Sequence, residues 1–303
     1  MGLSILIPVY NCDVTVLVNT IAAQLKQYEI IGEIILLDDA SDPAFDKINK
    51  TLSQISSVTY SRNQQNAGRT ESRKLLAESA RYNYLLFLDC DSMIIKDNFL
   101  DVYSRQIDLN EQLVSGGRRY YPQPPDKCIY HLHWKYGSRR EVVSASHNKA
   151  PAFMSHNFLV KKFIFQQLDF TIQLKGYGHE DSFWGIQFRK MGVEQKKIEN
   201  PVLHASLEEA AVYLKKSEQA IENLLELSSI VNTRLLKKEI KMFMWFRRLK
   251  AWGLAGIFEF LLRPFQSFIR KNLSSCSPSL FFFDCYRLAL LIRLFKMKAK
   301  LPK

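Results

Sequence analysis

Short apolar runs alternate with longer amphipathic stretches through the first third of the chain. Leu3 to Val9 reads as a buried strand stopped by Pro8, and the turn Tyr10-Asn11-Cys12-Asp13 opens a helix to about Tyr28. The pattern then repeats. Glu33 to Leu37 is a second strand ending in Asp38-Asp39 and the turn-forming ASDP, Phe45 to Ile55 reads as a helix, and Val58 to Ser61 as a short strand. Asn66-Ala67-Gly68 opens a helix from Arg69 to Tyr82, and LLFLDCDSMII, Leu85 to Ile95, begins as a core strand that stops at Asp89-Cys90-Asp91. This alternation predicts an α/β fold with a parallel, doubly wound sheet, in which ligands bind beyond the carboxyl ends of the strands. Three polar clusters fall at such ends: Pro8 to Asn11, Asp38-Asp39 and Asp89 to Asp91.

Further along, Asn98 to Ile107 reads as a helix, Leu113 to Gly117 as a strand and Arg118 to Lys127 as a proline-rich loop where a substrate-facing segment can begin. In Cys128 to Glu141, His131 and His133 stand two apart, but no Cys or acid at ligand spacing supports a zinc pair. SHNFLV, within residues 153–165, reads as a strand leading into a helix. KGYGHEDSFWG follows, with Gly176 and Gly178 in a sharp turn and Glu180-Asp181 opening a helix to about Met191. His204 precedes a helix from Glu208 to Leu227.

Charge adds a second region. The 303 residues carry a formal net charge of +12, while Lys237 to Lys303 alone holds 15 Lys plus Arg against 3 Asp plus Glu, which is +12. Residues 1–236 are therefore neutral on balance, so a neutral body and a basic extension from 237 to 303 are expected, without nucleic-acid recognition spread over the chain. In the extension, KMFMWFRRLKAWGLAGIFEF draws as one amphipathic helix with Met242, Trp245, Phe246, Leu249, Trp252 and Phe260 on one face. Such a helix suits the headgroup region of an anionic membrane, and it equally packs on protein. Leu280 to Phe295 is apolar but interrupted by Asp284, Arg287 and Arg293, so no membrane-spanning helix is expected. Cys12, Cys90, Cys128, Cys276 and Cys285 form no C-x-x-C pair, and reduced thiols in a cytosolic protein are the expectation, with no disulfide framework. No basic n-region opens the chain, so no signal peptide is expected.

Chemistry enters at the strand ends. If extended geometry persists past Leu88, Asp89 and Asp91 point the same way and Cys90 the other, a two-carboxylate cradle for Mg²⁺ or Mn²⁺. Asp also collects at such ends simply to satisfy turn backbone. No G-x-G-x-x-G or P-loop signature is present, so metal and arginine would have to neutralise any diphosphate. Arg69 and Arg73, one turn apart, can do so or can lie on a solvated helix face. Glu180-Asp181 can cap a helix or deliver a general base.

The ordered set ILIPVYN, LLDDASD, NAGRTESR, FLDCDS, SHNFLV, GYGHEDSFWG and NPVLH, over roughly residues 3 to 230, resembles a family 2 glycosyltransferase of the GT-A fold. The resemblance implies a Rossmann-like, mostly parallel central sheet flanked by helices, followed by the helical basic extension. It implies an inverting, metal-dependent transfer from a nucleotide-sugar, UDP-linked in the first instance, to a hydroxyl of a glycan or lipid-linked acceptor. Pro8, Val9, Tyr10 and Asn11 would frame the nucleotide pocket, Asp39 would accept from the base with Asp38 supporting it, and Gly68, Arg69, Arg73 and Asp89 would complete the donor site. Asp91, Asp89 and His204 would hold the divalent cation, Mn²⁺ or Mg²⁺. Asp181 would be the catalytic base and Glu180 would position the acceptor. Lys74 departs from the family pattern, which often has Asn there. The setting implied is cytoplasmic, against the inner face of the membrane, with the oligomeric state open. Two rivals remain: a sugar nucleotidyltransferase, which lacks its Gly-rich signature here, and a non-enzymatic nucleotide- or RNA-binding protein using the acidic pocket of Asp38, Asp39 and Asp89 or the basic arm.

Overall fold

The computed structural model describes residues 2–142, 153–171, 174 and 176–300. In chain order the elements are β1 (Leu3–Val9), α1 (Thr15–Gln27), β2 (Gly32–Asp38), α2 (Pro43–Lys50), β3 (Val58–Arg62), α3 (Arg69–Ser79), β4 (Tyr84–Leu88), β5 (Ser92–Ile94), α4 (Phe99–Asp108), β6 (Leu113–Ser115) and β7 (Arg118–Arg119). Then follow α5 (His131–Tyr136), β8 (Asn157–Lys161), α6 (Lys162–Phe165), α7 (Glu180–Lys190), β9 (Lys196–Lys197), β10 (Val202–His204) and α8 (Ala210–Ile230). The C-terminal run comprises α9 (Thr233–Glu239), α10 (Lys241–Ala251), α11 (Ala255–Leu262), α12 (Gln266–Leu273) and α13 (Leu280–Lys300). The chain divides into two compact units, residues 1–121, 142–173 and 187–206 in one, and 122–141, 174–186 and 207–303 in the other.

The first unit holds a seven-stranded sheet in the order β3-β2-β1-β4-β8-β6-β9. Its strands run parallel except β8, which pairs antiparallel with both β4 and β6. β4 is central, and all five of its side chains are buried, which explains its unbroken apolar run. Phe87 stacks on Phe158 of β8 at 4.8 Å and packs against Phe165 at 4.7 Å. Each buried ring contributes about 2 kcal/mol through area removed from water. On another face, α1 buries Leu17, Val18, Ile21 and Leu25, the stripe its 3.6-residue period predicts. A three-stranded sheet, β5-β10-β7, sits in the same unit.

The second unit is helical around a core of Leu132, Tyr213, Leu214, Ile269, Leu273 and Phe283. Its composition departs from the linear division expected at residue 236. The helices after 206 associate with residues 122–141 and 174–186, because α8 and α13 offer the apolar face on which α5 packs.

Two further expectations are corrected here. The single helix drawn through residues 241–260 ends at Ala251, and Gly253 at φ +72° turns the chain into α11, so α10 buries Phe243 and Phe246 while Trp245 and Trp252 stay exposed. Cys128 and Cys276 are joined in a disulfide, against the expectation of free thiols; their spacing of 148 residues hid a pairing made by packing α5 near the α12–α13 connection. Around it, the His131 ring nitrogens lie 2.7 Å from the carbonyl oxygens of Cys276 and Pro125, and Lys135 donates to the Pro278 carbonyl. His133 goes elsewhere, stacking on Tyr213 and accepting from the Glu208 N–H.

Candidate active site

β1 and β2 end side by side, with Val9 opposite Asp38. Asp38 is fully buried, and its Oδ1 accepts the Ser41 N–H at 2.7 Å, fixing the turn after the strand. The Asp39 carboxylate accepts from Asn63 Nδ2, the Ala67 N–H and the Gly68 N–H, each at 2.8 Å. It therefore organises the 63–68 loop and keeps about one of four lone-pair sites for a further donor. Asn11, at φ +48°, ties the β1 end to the same turn by accepting the Asp42 N–H, while Tyr10 stands 53% exposed beside it. Pro8 is partly exposed and Val9 buried, so of this stretch Tyr10 and Asn11 present surface.

Gly68, at φ +87°, precedes α3, whose first residue is Arg69. Neither arginine lies on a purely solvated face. Arg73 is 1% exposed and its Nη2 meets Asp89 Oδ1 at 2.5 Å; Arg69 and Arg118 reach Asp89 Oδ2 at 3.3 and 3.1 Å. Burial pushes the Asp89 carboxyl up, but the guanidinium groups of Arg69, Arg73 and Arg118 outweigh it and hold the acid far below the usual carboxylate range.

The chain does not stay extended past Leu88. The Ser92 N–H donates to the Asp89 carbonyl, so Asp89 to Asp91 forms a turn and the two carboxylates have different neighbours. Asp89 belongs to the arginines. A cation there would face three guanidinium groups with both oxygens already engaged, so the expected metal role of Asp89 does not fit this geometry. Asp91 instead pairs with His204, Oδ2 to Nδ1 at 3.2 Å. The antiparallel register of β5 and β10 sets this, placing His204 directly opposite Ser92, with the Ala205 N–H on the Asp91 carbonyl. Burial raises the Asp91 pKa, but the His204 hydrogen bond and charge leave it lowered on balance. Asp91 Oδ1 is buried with no hydrogen-bond partner among the described residues. One orphaned carboxylate oxygen beside an imidazole fits a divalent ion that takes its other ligands from phosphate and water. Among the described residues no group of three or more His, Cys, Asp and Glu has metal-holding geometry.

Three contributors escaped the sequence reading. Arg118 follows Gly116-Gly117 at the end of an apolar run, the same strand-end signal as elsewhere, masked by the prolines after it. His156, buried and held well below its usual pKa by burial and Arg118, gives its carbonyl to the Asp89 N–H. Asn157 is a hub: its Nδ2 donates to the carbonyls of Gly117 and Asn200, and its Oδ1 accepts from Tyr103 Oη at 2.6 Å. That hub fixes the approaches to β7 and β10, hence Arg118 and His204. A Cβ on Gly116 would lie 2.2 Å from Tyr103 Oη, so no side chain fits there.

Glu180 and Asp181 belong to the second unit, at the start of α7. The turn before them uses positive φ at Gly176, Gly178 and His179. Gly178 has no alternative, since a Cβ would lie 2.5 Å from Ala220 Cβ of α8. Asn223 of α8 donates to the carbonyls of Tyr177 and Gly178 and clamps the turn. Glu180 is buried and Asp181 partly exposed. Burial, with Arg287 nearby, pushes the His179 pKa down to about 4.

A model of glycosyl transferase family 2 matches residues 4–169, more than half of the chain. The chain belongs to that family. It is thus a glycosyltransferase, and the nucleotidyltransferase and non-enzymatic readings fall away. Similar solved structures include S. aureus TarS, at 15% identity and TM-score 0.50 over 100% of this chain and 93% of that one. TarS in complex with UDP-GlcNAc aligns at 14% identity and TM-score 0.52, covering 98% and 92%. The mannosyltransferase PcManGT from Pyrobaculum calidifontis, in complex with GDP-Man and Mn²⁺, aligns at 12% identity and TM-score 0.52, covering 99% and 88%. At these identities the likeness shows the GT-A fold, in agreement with the mostly parallel sheet. No curated protein matches the sequence. The family match ends before Glu180, Asp181 and His204.

Proposed function

We propose that this glycosyltransferase moves a sugar from a nucleotide-sugar to a hydroxyl acceptor with inversion, using a divalent cation held by Asp91 and His204. The observation that carries the reading is the Asp91–His204 pair, with its buried, unpartnered carboxylate oxygen, at the rim where β4 and β10 end. When bound, the cation would supply Lewis-acid neutralisation of the diphosphate leaving group. Arg69, Arg73 and Arg118 bring three positive charges against Asp89 and Asp91, a balance that favours the same anion. Tyr10, Asn11, Asp38 and Asp39 would shape the nucleotide pocket, with the spare lone pair of Asp39 accepting from the base.

Asp181 is assigned the base that removes the acceptor hydroxyl proton as its oxygen attacks the anomeric carbon, and Glu180 the positioning of that hydroxyl. A rigid helix start held by Asn223 suits that task. The choice of sugar and acceptor is assigned to the segment from Arg118 to Ala152, of which residues 143–152 lie outside the described residues. Because TarS and PcManGT have UDP-GlcNAc and GDP-Man bound, those two donors head the test. Incubation with each nucleotide-sugar and Mn²⁺ should release nucleoside diphosphate, and chelation should stop it. Release that is unaffected by chelation would refute the metal assignment.

A further inference from the structure

Helices α11 and α12, joined through Arg263–Phe265, run almost unbroken from Ala255 to Leu273. One side is used inside the unit: Leu262, Ile269 and Leu273 lie against Phe283, Tyr286 and Leu290 of α13. The other side carries Ile257, Phe260, Leu261, Phe265 and Phe268, each between 56% and 70% exposed. Spacings of three and four place these five on one stripe. Phe281 of α13 prolongs it, 71% exposed, linked through Phe282 to an edge-on contact with Phe268 at 5.8 Å. Apolar side chains left in water forgo the stabilisation of burial, so a contiguous set of this kind marks an interaction surface.

Charge selects the occupant. Arg263 and Lys271 flank the stripe and are exposed, while Glu259, the one acid between Ala255 and Leu273, is taken up by Lys296. Residues 237–303 also carry the whole net charge of the chain. A second copy would set this basic strip against another like it, which costs affinity. Among the described residues no helix is long and apolar enough to cross a membrane, so the stripe would lie on a bilayer and not span it.

We infer that the α11–α12 stripe is the surface by which the protein lies on an anionic phospholipid bilayer, with Phe260, Phe265 and Phe268 in the headgroup region and Arg263 and Lys271 on lipid phosphates. This differs from the face expected on α10, where Phe243 and Phe246 turn inward. It stands apart from the metal and base assignments above. The test is flotation of the full chain with vesicles of phosphatidylcholine alone, or phosphatidylcholine mixed with phosphatidylglycerol. The wild type should float with the mixed vesicles far more than with the neutral ones. The triple variant F260S/F265S/F268S should lose at least about tenfold in partitioning. R263S/K271S should lose about tenfold on the mixed vesicles with little change on the neutral ones. Circular dichroism and thermal melts verify folding, and if the triple variant misfolds, the charge variant decides. No flotation of the wild type, or equal flotation of a folded variant, overturns the inference. So does a wild-type dimer that the triple variant dissolves without any lipid binding.

Discussion

Arg73 Nη2 lies 2.5 Å from Asp89 Oδ1, and 1% of the arginine side chain reaches solvent. Removing one partner of a buried charge pair strands the other, a loss of about 3 kcal/mol. R73M, which keeps most of the volume, should lower stability by that amount in urea unfolding. A loss under about 1 kcal/mol would mean that Arg69 and Arg118 alone suffice to hold Asp89.

The Asn157 hub gives a prediction for the loops that carry Arg118 and His204. N157L removes the bonds to the Gly117 and Asn200 carbonyls and to the Tyr103 hydroxyl, of which the Gly117 carbonyl keeps the Val202 N–H, a loss of roughly 3 kcal/mol. Because those loops then relax, Arg118 and His204 should drift, and donor binding should weaken beyond the stability change. Unchanged unfolding midpoints would contradict the hub.

His179 gives the protein a pH dependence of definite sign. Its folded pKa is pushed down to about 4 from an ordinary 6.5, so the unfolded chain binds the proton more readily. The neutral ring is fully accommodated above pH 6.5, and stability is lost as pH falls from there toward 4. H179N, which tolerates the left-handed backbone of this position, should have a flatter melting temperature between pH 7 and pH 5. Parallel wild-type and variant profiles would contradict the assignment.

The disulfide is checked by thiol counting. Denatured but unreduced protein should label three cysteines, Cys12, Cys90 and Cys285, and reduced protein all five. Labelling of all five without reductant would restore the free-thiol expectation for Cys128 and Cys276.

The core of the sheet was legible because β1, β2 and β4 are apolar runs closed by Pro or Asp, and a period of two or of 3.6 needs no long-range information. β4 illustrates this, since burial on both faces demands the unbroken YLLFL. β7 and β9, Arg118–Arg119 and Lys196–Lys197, carry no such signal. The antiparallel β8 was legible as a strand but not in its direction, which depends on pairing. The site divides in the same way. Asp38, Asp39, Asp89 and Asp91 announce themselves at strand ends, but which acid faces arginine and which faces histidine depends on the turn at Asp89 to Asp91 and on the β5–β10 register. Arg118 and His156 reach Asp89 through tertiary structure alone, as Cys128 reaches Cys276. In the C-terminal run, a single glycine with positive φ at Gly253 was enough to redirect an otherwise continuous amphipathic pattern.

The central claim is the division of labour between Asp91, on the cation, and Asp181, on the acceptor proton. Calorimetric titration of the donor in the presence of Mn²⁺, on D91N and D181N side by side, tests it most directly. Both variants should lose transfer, D181N should bind the donor as the wild type does, and D91N should bind it at least about tenfold more weakly. Equal donor affinity in the two variants would contradict the account.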